Sequence, residues 1–396
     1  MAEVLVISID ELLRQLLAGE DPGVGGGALR IEEDSPEHLQ QLLDAARRAG
    51  DSTRVRLLAP IGAFLQYSAR RELGGGQREV DRIVALARNC GSAPLHSWIV
   101  GQIGSAIGWP DGIKFLEDAW GIAGAAGVQW AQCQWALNLA NLWAQQDPDR
   151  ALLWAGKSLE LARSIGDTGR AGAALNTLSI LTAAQQDSLS QARDYAAEAL
   201  AIARQAGDRR RIAERSAHLA ELSERLGLRD EAISLFSKAL DGFRELRHPK
   251  TFDLIRHLAA VITDPFEQAA EPVLRSHLKK LNRSLDRSDI ERLMEQAQRG
   301  QVVMASWDPR RQTTVFDPDP HFARDLGECG EWRALAVYAR HWMEQGFPAG
   351  DPSGLYWLSI SLRSLGLQDA AEATLEFGLR LHGFFEDYAD RHRGKT

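Results

Sequence analysis

Small, large and small side chains recur along this chain at a spacing of four then three residues, which places all three on one face of a helix. The triplet reads Val80, Val84, Ala87, then Gly112, Leu116, Ala119, then Ala151, Ala155, Ser158, then Ala192, Ala196, Ala199, then Ala232, Phe236, Ala239. It returns as Ala334, Tyr338, His341 and as Ala371, Leu375, Gly378. Small residues let a neighbouring helix approach closely and one large residue fills the gap, so the pattern predicts helical hairpins stacked on one another.

A second signal punctuates the first. A helix-like segment ends in Ala-Arg-x-x-Gly-Asp or a near relative at 46–51, 87–92, 162–167 and 203–208, with a degenerate copy at 124–128. The glycines Gly50, Gly91, Gly127, Gly166 and Gly207 lie 36 to 41 residues apart. Each sits where a helix must stop and the chain reverse, in a left-handed conformation that glycine adopts cheaply. Repetition at this length is the signature of a solenoid. Asp147-Pro148 and Trp109-Pro110 put proline at the start of second helices, and Asp147 is placed to cap one of them.

These segments resemble the tetratricopeptide repeat family in its longer form of bacterial regulators and kinesin light chains. The fullest copies are 219–240, LAELSERLGLRDEAISLFSKAL, and 358–379, LSISLRSLGLQDAAEATLEFGL, with Leu-Gly before the turn and an acidic-Ala entry into the second helix. The resemblance implies an all-α, right-handed superhelical solenoid of antiparallel hairpins. It also implies that the first helix of each hairpin lines a concave, partner-binding surface. About five hairpins are expected over 36–250 and more over 331–396.

Two stretches depart from the repeat. Residues 1–35 hold a short apolar run, Val4 to Ile9, that fits a strand or a helix start. A glycine-rich loop follows over 19–35, leading into a helix at Ser35-Pro36. Over 251–330 the alanine pattern is lost. Helices are expected at 272–285 and 288–299, and the β-branched residues around Asp308-Pro309 suggest a small β-hairpin or ordered loop near 301–317.

Composition narrows the function class. A net charge of -8, from 46 Lys+Arg against 54 Asp+Glu, offers no basic excess for phosphate, so nucleic acid is not an expected partner. No stretch has the roughly 20 consecutive apolar residues of a membrane helix, and Met1 to Asp10 carries no basic leader. A cytoplasmic, bacterial protein is expected. The three cysteines, Cys90, Cys133 and Cys329, are far apart and read as buried free thiols, not as zinc ligands or disulfides.

Candidate chemistry is sparse. Residues 151–158, ALLWAGKS, match the loosest phosphate-loop pattern but lie inside an expected helix, where backbone donors are already used. Gly23, Gly25, Gly26 and Gly27 lack the strand and helix of a dinucleotide site. The 10 histidines form no ligand-type pair. No catalytic residue, metal or cofactor is expected, and the protein is read as non-enzymatic.

Seven of the 11 tryptophans fall between positions 98 and 154. Most are expected in the core, while Trp130, Trp135 and Trp154 are candidate aromatic anchors for a partner. One polar residue per first helix occupies an equivalent place: Gln102, Asn138, Asn176 or Thr177, and His218. The resemblance to kinesin light chain repeats favours Asn138 and Asn176 as groove residues, whose amides can bond the backbone of an extended peptide. The function expected is a protein–protein interaction scaffold or adaptor that binds a protein or peptide. The alternatives are a peptide-responsive regulatory protein of a bacterial signalling system and an enzyme or nucleotide-binding protein using an unrecognised site.

Overall fold

A computed structural model describes residues 4–20, 22, 28–31, 36–70, 76–185, 188–246, 250–267, 318–346 and 353–381. The helices expected at 272–285 and 288–299 and the β element near 301–317 lie outside the described residues. The chain divides into two compact units, Met1–Ala206 and Gly207–Thr396.

The first unit opens with β1 (Val4–Ile7), α1 (Ile9–Ala18) and β2 (Ala28–Ile31). β1 and β2 pair in parallel, Val4 against Ala28 through Ile7 against Ile31, with α1 as the crossover that parallel strands require. This settles the open choice at Val4–Ile9, which is a strand followed by a helix start. It also corrects the loop expected over 19–35, four residues of which form a strand. Ser8 caps α1 by accepting from the Glu11 N–H, and Gly19 closes it at φ 72°. The apolar stripe Ile9, Leu12, Leu13 and Leu16 is buried in a core shared with Leu39, Ile61 and Ile99.

Helices then follow in tetratricopeptide-like order: α2 (Pro36–Arg48), α3 (Ser52–Arg70), α4 (Gln77–Arg88), α5 (Ala93–Ile107), α6 (Gly112–Ala125), α7 (Gln129–Trp143), α8 (Pro148–Ser164), α9 (Thr168–Ala183) and α10 (Leu189–Ala206). Among these, α5/α6, α7/α8 and α9/α10 form hairpins. In each, the triplet of the second helix is buried: Gly112, Leu116 and Ala119, then Ala151, Ala155 and Ser158, then Ala192, Ala196 and Ala199. The fifth residue of each first helix is small and meets that second helix. Ser97 Oγ donates to the Ala119 carbonyl at 2.8 Å, and Cys133 Sγ reaches the Ser158 carbonyl at 3.2 Å. At Gly172 a Cβ would come within 3.1 Å of Ile202.

The Gly-Asp phrase does two jobs at one junction. Gly166, at φ 70°, ends α8 and lets the Asp167 N–H return to the Ala162 carbonyl. The Asp167 side chain then accepts from the Arg170 N–H at 2.8 Å and caps α9. Asp51 and Ser92 cap α3 and α5 in the same way, and Asp147 caps α8 with Pro148 as its first residue. At Trp109-Pro110 the expected start is corrected: the proline belongs to the turn, and α6 begins at Gly112.

The second unit holds α11 (Arg209–Arg225), α12 (Arg229–Leu246), α13 (Thr251–Glu267), α14 (Pro320–Glu328), α15 (Trp332–Gly346), α16 (Ser353–Ser364) and α17 (Gln368–Leu381). Asp208 caps α11 on the Arg211 N–H. Although α13 lacks the alanine triplet, it buries Phe252, Ile255, Leu258 and Ala259 and packs against α12, α15 and α17. Arg340 of α15, 12% exposed, bonds Thr263 Oγ1 and Asp264 of α13. Arg244 of α12 reaches Glu372 of α17 at 3.0 Å.

Candidate functional site

The first helices α5, α7 and α9 share one register. Gln102, Asn138 and Thr177 are each the tenth residue of their helix, so Thr177 and not Asn176 is the register equivalent of Asn138. All three are half-buried, and one turn further on Ser105, Asn141 and Ile180 are exposed. Ile180 is 52% exposed, high for so large an aliphatic residue. Asn176 lies beside Thr177, also half-buried.

Charge is missing from this layer. α5 and α7 contain no Asp, Glu, Lys or Arg, and α9 contains only Arg170, which is 3% exposed. The paired helices α6, α8 and α10 each carry both signs. Half-exposed helix faces are ordinarily charged, because charged side chains keep their hydration there. A neutral, amide-bearing face over three successive first helices is the feature that sequence reasoning missed. It was legible as the lack of charge over 93–107 and 129–143.

Asn138 is already oriented. Its Nδ2 donates to Ser105 Oγ at 2.8 Å, and Ser105 Oγ donates to the Gly101 carbonyl at 2.9 Å. Gln134 Nε2 donates to Asn138 Oδ1 at 3.0 Å. This chain ties α7 to α5 and leaves the Asn138 amide one further N–H and one further lone pair.

The other candidates separate from this group. Trp135 is 1% exposed and its indole N–H donates to Ser97 Oγ at 3.0 Å. It is core, and its place as a surface anchor is corrected: a Cβ on Gly101 would fall 2.4 Å from its ring, so it fills the space that glycine vacates. Trp130 is half-buried and bonded to the Gly19 carbonyl at 2.8 Å, with the Arg170 guanidinium 5.6 Å from its ring centre. Trp154 belongs to a second helix, where it packs edge-on to Trp120 under Lys157. His218 is the tenth residue of α11 but lies in the other unit, its Nδ1 3.9 Å from the Glu221 carboxylate.

Residues 151–158 are helical within α8, with Ala151, Ala155 and Ser158 buried in the hairpin contact, so the segment is no phosphate-binding loop. Cys90 and Cys133 are buried as expected, but Cys329 is exposed, which corrects the expectation of three buried thiols. Burial pushes the Cys90 thiol up. Among the described residues no cluster of three or more His, Cys, Asp or Glu could hold a metal ion, and no helix is long and apolar enough to cross a membrane.

No family model matches the chain, and no curated protein matches it. Solved structures that it is similar to include BtubC (BKLC) from P. vanneervenii, 18% identical over 54% of this chain and 92% of that one, with a TM-score of 0.46. The apo form of RapI is 9% identical over 89% and 94%, with a TM-score of 0.47. The apo form of the quorum sensor NprR from B. thuringiensis is 11% identical over 94% and 97%, with a TM-score of 0.42.

Proposed function

We propose that this protein is a non-enzymatic interaction scaffold, and that the neutral face of α5, α7 and α9 binds an extended segment of another protein. The observation that carries this reading is the absence of exposed charge from three successive first helices that keep amides and hydroxyls in register. An extended segment presents backbone N–H and C=O groups, and Gln102, Asn138, Asn141, Asn176 and Thr177 can donate to and accept from them. Each such bond contributes about 0.5 to 1.5 kcal/mol net, so several in register are needed for useful affinity. Leaving charge out of the face removes the cost of desolvating ions when the segment docks. Ile180 supplies an apolar contact at the exposed end.

The test is selection of linear peptides from a display library against the full chain. Gln102→Ala and Thr177→Val should together weaken the selected peptides about tenfold, the loss of two such bonds, with helix content unchanged. Leu153→Ala on α8 should leave binding intact. Failure to select any peptide, or binding that ignores Gln102 and Thr177 and responds to Leu153, overturns the reading.

A further inference from the structure

The second unit contains a cavity of about 440 Å³ bounded by four parts of the fold: Arg229, Asp230 and Ile233 at the start of α12, Ile262 in α13, Arg333 at the start of α15, and Leu365 and Leu367 either side of the turn into α17. Its size falls in the range of about 300 to 1,000 Å³ typical of ligand pockets. The four aliphatic residues are half-buried and both arginines are exposed. Among the described residues, neither the Arg229 nor the Arg333 side chain makes a hydrogen bond or a close ion pair, although Arg229 acts at longer range on Glu224, whereas Arg163, Arg170, Arg211, Arg244 and Arg340 are all paired.

We propose that this cavity binds the C-terminal residue of a peptide or protein whose last side chain is aliphatic. This does not depend on the reading of the α5, α7 and α9 face. Such a residue carries three groups close together: a carboxylate, an apolar side chain and an amide N–H. The two guanidinium groups suit the carboxylate, which arginine holds by paired, charge-assisted bonds. The aliphatic lining from Ile233, Ile262, Leu365 and Leu367 suits the side chain. Asp230, an acceptor-only group in the same wall, suits the amide N–H and would repel an acid that has no donor beside it. An internal Asp or Glu fits less well, because its carboxylate lies on the side chain itself and the apolar group must come from a different residue.

The experiment titrates the full chain with acetyl-alanyl-leucine, its carboxamide and hexanoate, followed by NMR of the ligands. The free acid should bind, with the carboxamide and hexanoate each about tenfold weaker or worse, as expected for losing a hydrogen bond to a charged group. Arg229→Gln and Arg333→Gln should each reduce binding of the acid about tenfold at an unchanged melting temperature. Equal binding of acid and carboxamide, binding unaffected by both substitutions, or no binding at millimolar ligand overturns the proposal. Hexanoate matching the peptide acid overturns the assignment to a peptide C-terminus.

Discussion

The Trp130 indole N–H donates to the Gly19 carbonyl at 2.8 Å, joining the second residue of α7 to the cap of α1 across 111 residues of sequence. Trp130→Phe removes this bond together with the pyrrole half of the indole, so it should cost at least about 0.5 to 1.5 kcal/mol by chemical denaturation. Amide exchange in α1 should quicken more than in α9. Equal acceleration in both helices would show that the bond does not anchor α1.

Asp167 and Asp208 cap successive first helices in the same way but differ in what else they hold. Arg170 is 4% exposed in its side chain and lies 2.6 Å from Asp167, whereas Arg211 is 32% exposed and lies 3.2 Å from Asp208. Asp208→Ala should cost about 1 kcal/mol, the usual value of a lost cap. Asp167→Ala should cost about 3 kcal/mol, because it also takes a carboxylate from a buried cation. Equal losses in urea melts would contradict this difference.

Two glycines should respond to alanine for different reasons. Gly166 has open space around it and only its positive φ resists substitution, so Gly166→Ala should cost about 1 to 2 kcal/mol. A Cβ on Gly112 would lie 2.2 Å from the Gly104 carbonyl oxygen, a backbone atom with no side-chain freedom to retreat. Gly112→Ala should therefore cost more and separate α5 from α6. A milder effect than at Gly166, read from thermal melts, would show that the two helices shift easily.

Glu224 should make the second unit less stable at neutral pH. Burial raises its pKa, with Asp264 and Glu221 adding to the rise and His257 and Arg229 opposing it. The folded state thus binds this proton more tightly than the unfolded chain. The stabilisation is complete below the ordinary glutamate value of about 4.3 and is lost as pH rises through the folded value. Glu224→Gln should raise the melting temperature at pH 7 and converge with the wild type near pH 4. A variant less stable at pH 7 would contradict the sign.

Thiol labelling should distinguish the three cysteines. Cys329 is exposed, while Cys90 and Cys133 are buried and the Cys90 thiol is held in its unreactive protonated form. One thiol should react quickly in the native protein and all three after denaturation. Fast reaction at Cys133 would mean that the α7/α8 hairpin opens readily.

The repeat was legible in the chain because its causes are local. A stop glycine, a cap two or three residues before the donor it satisfies, and a triplet on one face all lie within a single helix or turn. The pairing of Val4–Ile7 with Ala28–Ile31 was not, since a parallel strand's partner sits beyond a whole helix and no short pattern marks it. The same holds for Trp130 and Gly19. Trp135 was misassigned because a tryptophan in a first helix reads the same whether the facing residue is Gly101 or something larger. The neutral face of α5 and α7 was visible as an absence of charge, which a search for motifs passes over.

The central claim is that a protein segment lies on the neutral face of the first unit. The most direct test replaces Ile180, Asn141 or Leu153 singly with a photo-crosslinking phenylalanine analogue and irradiates each variant with a selected peptide. Crosslinks from Ile180 and Asn141, with none from Leu153 on α8, are the predicted result. Crosslinking from Leu153 alone would contradict the account.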